Sequence, residues 1–279
     1  MKENNSNQKG KIMNVLITDG ETCETSRNER GQLDMDNGQV YDLGGAVLNV
    51  EEEKFLTEFS IVNSDVFFNM PESMANAYYA NKIPQYLEEI KNGSRKVMNT
   101  WQMWNYFYHI CKFYDVKAII AHNARFDIKT LNATMRYQTK SKKRYFLPYG
   151  IPILDSMKMA NQTIAKSENY IQYCKDNGYM TNHAKPRPRV SAEVLWRYLS
   201  KDDNFCESHT GLEDVKIEAQ IFLECVRRGY ALPFFDYQLK PSNQRAGQRY
   251  TPLTKKKKKK GITPLLPPSS SCFPAPSPY

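Results

Sequence analysis

The sequence contains no apolar run long enough to cross a membrane. Its longest runs, such as Val15–Ile17 and Ala118–Ala121, are far shorter than the ~20 residues that a spanning helix needs. The opening residues, MKENNSNQKGK, also lack the apolar centre of a secretory signal peptide. We therefore expect a soluble, unexported cytoplasmic protein with no membrane partner.

Cysteine is scarce and shows no local pairing. The 6 cysteines lie far apart and form no C-x-x-C motif, which is typical of reduced thiols in a cytoplasmic protein. One alternative stays open, because four Cys and His side chains could assemble a structural zinc site. Its ligands would be Cys174, His183, Cys206 and His209.

Acidic residues are absent from the end of the chain. Residues 240–279 contain nine of the 39 Lys and Arg residues and none of the 30 Asp and Glu residues. The rest of the chain therefore holds 30 charges of each sign, and the net charge of +9 belongs to the end. The overall charge consequently does not indicate whether the folded body has a nucleic-acid-binding face, and any such claim must come from residues within the body.

Composition predicts one folded region between two polar ends. Hydrophobic residues make up 41% of the chain and aromatic residues 12%, which is enough for a sizeable core. We expect a flexible segment at 1–11, a folded domain at 12–235 and a disordered basic, Pro/Ser/Lys-rich tail at 236–279. Within the domain, residues 161–190 are interpreted as an insertion.

Apolar patterning predicts strands that alternate with helices. The predicted strands are Met13–Asp19, Val40–Val50, Lys54–Val62, Val116–Ala121 and Ile151–Leu154. The predicted helices are Ile83–Lys91, Trp101–Tyr114, one opened by Asn123 as N-cap, one capped by Asp155 and Ser156, Glu168–Lys175, Ser191 to about Leu199, and Gly211–Arg228. Short connections favour antiparallel pairing of the first three strands, and a helical crossover makes the fourth parallel to the first.

Three acidic motifs lie at the ends of these elements. Asp19 and Glu21, in DGET, end the first strand and therefore project to the same side of the sheet. Asp127, in HNARFD, falls in the first turn of a helix. In HTGLED, His209 precedes the last helix and Asp214 can lean toward Asp19. A loop histidine with a pKa near ~6.5 can exchange protons at working pH. Taken singly, each motif also fits an ordinary structural role.

Together, the order and setting of the motifs resemble the DnaQ-like (DEDDh) family of 3′-to-5′ exonucleases. The family patterns D-x-E-T, H-N-x-x-F-D and H-x-x-x-x-D match Asp19–Thr22, His122–Asp127 and His209–Asp214. Weaker matches at Asp42–Val47 and Leu154–Met157 support the register. The resemblance covers residues 13–229 and implies an α/β fold, with a ribonuclease H-like mixed five-stranded sheet flanked by helices.

The resemblance also implies a two-metal phosphodiester hydrolase. Asp19 should bridge two Mg²⁺ or Mn²⁺ ions, and Glu21, Asp127 and Asp214 should complete the coordination directly or through water. His209 should deprotonate the attacking water. Elementary electrostatics agrees, because four clustered carboxylates cannot all stay ionised without cations, and hard oxygen ligands suit these ions.

The expected substrate is single-stranded nucleic acid with a free 3′ end, with DNA preferred. RNA as the substrate and a catalytically silent nucleic-acid-binding module are the alternatives. A separate polymerase or repair protein is a further expected partner. The amino-acid sequence of the insertion resembles that of stand-alone exonucleases of tailed phages. Candidate strand-binding residues are Thr22, Asn123, Lys142, Lys143, Arg144, Arg187 and Arg189.

Several aromatic side chains near the motifs are expected to be structural. His122 is interpreted as a packed or surface histidine and Phe126 as a core residue. The tyrosine-rich stretches Tyr78–Tyr79 and Tyr106–Tyr108 are expected to face the core, with base stacking as the alternative.

Overall fold

The computed structural model describes residues 13–27 and 33–232. The predicted flexible segment 1–11 and the predicted basic tail 236–279 lie outside the described residues. Within the described ranges, no helix is both long enough and apolar enough to span a bilayer.

Strands and helices alternate along this part of the chain. The strands are β1 (Asn14–Cys23), β2 (Ser26–Arg27), β3 (Leu33–Asp34), β4 (Gln39–Asn49), β5 (Lys54–Asn63), β6 (Lys96–Met98), β7 (Ala118–Ala121) and β8 (Ile153–Asp155). The helices are α1 (Ser64–Phe67), α2 (Pro71–Ala75), α3 (Ile83–Lys91), α4 (Thr100–Phe113), α5 (Arg125–Gln138), α6 (Ser156–Gln162), α7 (Glu168–Asp176), α8 (Ala192–Ser200) and α9 (Gly211–Arg227). Short 3₁₀ helices cover Ala80–Lys82 and Ile164–Lys166.

Six strands form one mixed sheet in the order β6-β5-β4-β1-β7-β8. β4 pairs antiparallel with β1 and β5, whereas β7 pairs parallel with β1 and β8. The predicted α/β class, a mixed sheet flanked by helices, is confirmed, as is the parallel direction of the fourth predicted strand. The sheet has six strands rather than five, because β6 adds parallel to β5. β6 is three residues long and largely exposed, so apolar patterning could not reveal it.

Helices cover both faces of the sheet. One face packs against α6, α7, α8 and α9 through a core that includes Ile17 and Phe222. The other face packs against α4 and α5 through residues that include Leu16 and Phe107. Leu16 and Ile17 point to opposite sides because side chains alternate along a strand. The part of β1 that follows Leu16 and Ile17 therefore lies at the border of the two cores that these helices form with the sheet.

The start of α5 differs from the prediction. Asn123 is not its N-cap, since the helix begins at Arg125 and Ala124 occupies the cap position without a side-chain hydrogen bond. Asn123 instead lies in a left-handed turn with φ of 65°, which Asn tolerates better than most residues, and its amide donates to Asp155 Oδ1 over 3.1 Å. Asp155 is the N-cap of α6, as predicted, and accepts hydrogen bonds from the amides of Met157 and Lys158.

Four of the cysteines, Cys23, Cys111, Cys174 and Cys225, are free and buried, as expected for reduced thiols. The alternative zinc site is not assembled in the part of the chain that the structure describes. Among the described residues, the only group of three or more His, Cys, Asp or Glu residues able to hold a metal ion is Glu21, His209 and Asp214.

Two glycines allow α9 to rest directly on the sheet. A Cβ atom on Gly44 would overlap the carbonyl carbon of Gly211, and a Cβ atom on Gly211 would lie 2.6 Å from the Gly44 nitrogen. The Gly211 amide donates to Asp42 Oδ2 over 3.0 Å. Because backbone meets backbone here, the first turn of α9, which contains Asp214, lies against β1 and β4.

We expect Gly44→Ala to displace the first turn of α9 and to lower the free energy of unfolding by more than the ~1–3 kcal/mol that overpacking usually costs. The added methyl group meets rigid backbone rather than the movable end of a side chain. A matched control is Gly93→Ala, where a Cβ atom meets nothing within 4 Å although φ is +80°. That control should lose only the ~1–2 kcal/mol of a left-handed alanine. Urea unfolding of both variants measures the difference, and equal losses would contradict the close approach.

Candidate active site

Acidic side chains from three elements converge at the carboxyl end of β1. Asp19 and Glu21 lie two residues apart on β1 and are half-buried. Asp127 comes from the first turn of α5 and Asp214 from the first turn of α9, and both are buried. The sequence folds this way because β1 and β7 run parallel and side by side, so the helix that follows β7 starts next to the end of β1. The two glycines described above admit α9 from the other side.

Asp19 lies at the electrostatic centre of these acids. Its pKa is raised to about 7, mainly by burial and then by the charge of Asp42. Burial also raises the pKa of Glu21 and Asp127 well above the ordinary range, and the pKa of Asp214 to about 9, with the Asp19 charge as the next cause in each case. The Gly20 amide hydrogen-bonds the carboxylates of both Asp19 and Asp127 and lowers the pKa of each. Without a cation, Asp214 is protonated at neutral pH, and burial among like charges disfavours the ionised forms of the other three.

The donor set fits a divalent cation. One ligand atom each from Glu21, His209 and Asp214 lie within 4.8 Å of one another, and Asp19 and Asp127 adjoin this group through the shared Gly20 amide. Carboxylate oxygens are the ligands that Mg²⁺ and Mn²⁺ prefer, and a positive ion would offset the repulsion that raises these pKa values. The cluster therefore has the chemistry of a metal centre.

His209 is held in place just before α9. Its backbone is left-handed, with φ of 51°, and its ring stacks on Tyr79 with a centroid distance of 4.4 Å and an interplanar angle of 15°. Its Nδ1 atom lies 3.9 Å from Glu207 Oε2. Burial, followed by the Lys82 charge, lowers the pKa of His209 to about 4. The imidazole is therefore neutral at neutral pH and can accept a proton.

Two acids that the sequence analysis did not single out belong to the same cluster. Glu218 lies one turn beyond Asp214 on α9, is 3% exposed, and has no hydrogen-bond partner for Oε2 within the described part of the chain. Its pKa is raised by burial and by the charges of Asp19, Asp127 and Asp214. Glu207 has its pKa raised to about 7, first by burial and then by Asp19. The i, i+4 spacing of Asp214 and Glu218 was a usable signal, because such residues share a helix face.

Asp42 anchors α9 above the cluster. It is fully buried, and its Oδ2 accepts hydrogen bonds from the Tyr86 hydroxyl over 2.9 Å and from the Gly211 amide over 3.0 Å. Its Oδ1 pairs with Arg95, which also pairs with Glu89 over 2.7 Å. Burial raises the pKa of Asp42, and Arg95 opposes that shift. The sequence analysis matched Asp42 to a weaker family segment but assigned it no role.

His122 is a structural histidine, as expected. Its Nδ1 lies 2.9 Å from Ser156 Oγ and its Nε2 lies 2.7 Å from the Val190 carbonyl oxygen. Burial lowers its pKa. These bonds connect the end of β7 to Val190, the last residue of the insertion. The preceding residue, Arg189, accepts a hydrogen bond of 2.5 Å at its carbonyl from the Tyr170 hydroxyl.

The candidate strand-binding residues do not form one group. Asn123 is exposed at the end of β7, and Arg187 and Arg189 are exposed on the insertion that His122 ties to that end. Thr22 is buried behind an irregularity in β1. The basic loop formed by Lys140, Lys142, Lys143 and Arg144 follows the far end of α5, on the order of 20 Å from the turn that carries Asp127 at 1.5 Å per residue.

The tyrosine-rich stretches are less buried than expected. Tyr79 stacks on His209, and Tyr78 is exposed. On α4, Phe107 is buried but Tyr108 is exposed, so the core assignment is wrong for both Tyr78 and Tyr108. For Tyr108 the physical reason is helical periodicity, which turns it to a different face of α4 from Phe107. Tyr78 lies in the turn between α2 and the 3₁₀ helix at Ala80–Lys82.

Solved structures match the chain at low sequence identity. The nuclease domain of 3′hExo, a DEDDh family member bound to rAMP, is 11% identical with a TM-score of 0.47, over 79% of this chain and 94% of that one. E. coli Exonuclease I, in complex with a dA16 oligonucleotide, is 15% identical with a TM-score of 0.43, over 76% of this chain and 40% of that one. Exonuclease I from Methylocaldum szegediense is 14% identical with a TM-score of 0.45, over 78% of this chain and 41% of that one.

This chain therefore matches less than half the length of either Exonuclease I. No protein-family model and no curated protein matches the sequence. The matched structures are nucleases, and their likeness to this chain is one of overall fold alone.

Proposed function

We propose that this protein is a metal-dependent 3′-to-5′ exonuclease that hydrolyses phosphodiester bonds at the 3′ end of single-stranded nucleic acid, with DNA as the preferred substrate. One observation carries the proposal. Ligand atoms of Glu21, Asp214 and the neutral imidazole of His209 lie within 4.8 Å of one another, and the charge of Asp19 raises the pKa values of Glu21, Asp127 and Asp214. Buried acids that raise one another's pKa values are unfavourable for folding alone, which favours a functional reason for the cluster.

The carboxylates bind the cations of the reaction. Two Mg²⁺ or Mn²⁺ ions would be held by Asp19, Glu21, Asp127 and Asp214. When bound there, such ions would stabilise negative charge on the phosphate and on the leaving oxygen. Glu207 and Glu218 add negative charge to the same region and strengthen its attraction for cations. The neutralised cluster then accepts the anionic end of a strand.

His209 accepts the proton of the attacking water. The water oxygen bonds to the terminal phosphorus, and the bond from phosphorus to the 3′ oxygen of the preceding nucleotide breaks. That oxygen takes a proton from solvent to become the new 3′ hydroxyl, and the last nucleotide leaves as a 5′-monophosphate. The low pKa of His209 keeps its acceptor nitrogen unprotonated before the step. Tyr79 fixes the plane of the ring, and exposed Asn123, Arg187 and Arg189 are candidates for contacts to the strand.

The test compares substrates of one sequence. Purified protein is incubated with 5′-labelled single-stranded DNA and RNA oligonucleotides in Mg²⁺, Mn²⁺ or EDTA. We expect stepwise shortening in the divalent ions, with DNA degraded faster. Degradation of RNA alone would favour the exoribonuclease alternative. Strand binding without hydrolysis in either ion would favour the catalytically silent module, against which the complete set of acids and His209 argues.

A further inference from the structure

An exposed row of stacked aromatic rings runs along α4, away from the candidate active site. Trp101, Trp104 and Tyr108 share one helix face, and we refer to these three residues as the aromatic row. The ring centroids of Trp101 and Trp104 are 5.0 Å apart at 22°, and those of Trp104 and Tyr108 are 5.5 Å apart at 23°. Trp101 is 40% and Tyr108 is 44% exposed. The rings therefore present a stacked surface to solvent.

The core of the protein uses this row only in part. Trp104 is half-buried and packs against the core, whereas Trp101 and Tyr108 are exposed. The neighbouring stripe of α4 buries Met103, Phe107 and Cys111 against the sheet and α5. Exposed apolar surface forgoes roughly 25 cal/mol per Å² of burial, so a contiguous group of large rings in water points to a binding partner.

The charges around the row are positive. The Lys143 ammonium lies 3.5 Å from the Trp104 ring centroid and 5.6 Å from that of Trp101. Residues 90–114 and 128–154, which supply α4 and the basic loop, contain no Asp or Glu. A shallow groove between Trp101 and Lys140 includes one acid, Asp65, whose carboxylate accepts a hydrogen bond of 2.9 Å from the Thr100 amide. That acid is engaged with the start of α4.

We propose that the aromatic row and the basic loop bind a single-stranded segment of nucleic acid outside the active site. Bases stack on the exposed rings, and the lysines contact phosphates. Stacking surfaces flanked by cations suit a polyanion with flat bases better than they suit an apolar protein surface. The inference rests on the proposed function in that it assigns the same class of substrate to a second surface.

The fold connects the start of the row to the active-site end of the sheet. Asn63 Nδ2 donates to Thr100 Oγ1 over 3.0 Å and to the Val40 carbonyl over 3.1 Å. Val40 pairs with Thr22 in β1, next to Glu21. The basic loop lies beyond the far end of α5, on the order of 20 Å from the turn that carries Asp127. A strand whose 3′ end lies in the acidic cluster would therefore need several more nucleotides to reach the loop and the row together, so the row should affect long substrates and leave very short ones unaffected.

The test measures binding without hydrolysis. Fluorescence anisotropy in EDTA follows a labelled 20-nucleotide DNA strand on the wild type, on the double variant Trp101→Ala/Tyr108→Ala and on the control Phe113→Ala. Phe113 lies on the same helix, is 80% exposed and stands outside the row. We expect the double variant to bind at least ~10-fold more weakly, since stacking is worth about 1–3 kcal/mol per base. The control should bind like the wild type, and thermal unfolding verifies that both variants are folded.

A second readout uses the tryptophans themselves. Two of the 3 tryptophans belong to the row, and the third, Trp196, lies on α8. In a Trp196→Phe background, bound DNA should quench the emission. Lys142→Glu/Lys143→Glu should weaken binding and reduce its salt dependence, because fewer phosphate contacts release fewer counterions. Unquenched emission, or an unchanged salt dependence, would count against the row as the binding surface.

Substrate length separates this inference from the proposed function. The double variant should raise KM for the 20-nucleotide strand and leave hydrolysis of a trinucleotide unchanged. Unaltered binding of the long strand by a folded double variant would overturn the inference, even if hydrolysis is normal, and would leave the row as a protein-docking surface. Weakened binding in a protein that hydrolyses nothing would support the row and contradict only the nuclease proposal.

Discussion

Asp214→Asn is expected to abolish hydrolysis and, at the same time, to stabilise the metal-free protein. The Asp214 carboxylate should bind a cation. Removing this carboxylate should therefore reduce the rate of hydrolysis by about 10³-fold or more, which is equivalent to several kcal/mol of lost stabilisation of charge in the transition state. In the absence of cation, the same carboxylate is buried among like charges, and its pKa is raised to about 9. Asparagine keeps the shape and cannot ionise, so the unfavourable charge disappears.

The pH dependence follows from the direction of the shift. The pKa of Asp in an unfolded chain is ~3.9. Between about pH 4 and pH 9, the Asp214 carboxyl therefore holds a proton in the folded protein and has lost it in the unfolded chain. The stability linked to Asp214 is therefore fully present below about pH 4 and is lost as the pH rises through about 9. Urea unfolding in EDTA should show the gap between Asp214→Asn and the wild type widening from pH 5 to pH 8, and Mg²⁺ should narrow it.

Glu213→Gln is the matched control for this experiment. Glu213 precedes Asp214 on the same turn of α9, but it is exposed and pairs with Lys216 over 3.0 Å. Its neutralisation should leave hydrolysis unchanged and stability almost unchanged. If Asp214→Asn were less stable than the wild type at pH 8 in EDTA, the electrostatic account of the cluster would be wrong.

His209→Ala should lower kcat by about 10²–10⁴-fold, the usual contribution of a positioned general base. Because the pKa of His209 is lowered to about 4, the part of the pH profile that depends on it should lie near that pH rather than near 6.5. Cation binding, followed as the rise of Tm with Mn²⁺, should persist in this variant because the four carboxylates remain.

Tyr79 separates the chemistry of His209 from its placement. Tyr79→Phe keeps the stacked ring and should retain near wild-type kcat, whereas Tyr79→Ala frees the imidazole and should lower kcat with little change in KM. An unchanged kcat in His209→Ala would remove the general-base assignment while leaving the carboxylate cluster intact.

Local patterning was sufficient for the parts of the site that depend on neighbouring residues. Asp19 and Glu21 are two residues apart on a strand, and Asp127 and Asp214 each lie in the first turn of a helix. Residue spacing was therefore enough to predict the position of each acid on its strand or helix. The parallel pairing of β1 and β7 was also predictable, because a helix separates them in the chain. These features needed no knowledge of distant contacts.

The remainder depends on contacts between distant segments. Glu218 belongs to the cluster because α9 packs against the sheet, and that packing depends on the close backbone contact between Gly44 and Gly211. Asp42 meets Arg95 and Tyr86 across long intervals of sequence. Neither spacing nor composition encodes such pairs when only one sequence is read.

Surface features escaped prediction for a related reason. Trp101, Trp104 and Tyr108 have the spacing of a buried helical stripe, and only the packing of α4 shows that a different stripe faces the core. Asn123 resembled an N-cap because its residue type suits one, but its left-handed backbone places the helix start two residues later.

The most direct test of the central claim is the direction and cation dependence of strand cleavage. A single-stranded DNA oligonucleotide labelled at the 5′ end is given either a free or a blocked 3′ end, and products are resolved at single-nucleotide length as Mg²⁺ is raised from zero. The carboxylate cluster predicts a ladder that shortens one nucleotide at a time, only with Mg²⁺, only from the free 3′ end, and not with Asp19→Asn. Cleavage that persists in EDTA, starts at the blocked end, or is unchanged in Asp19→Asn would contradict it.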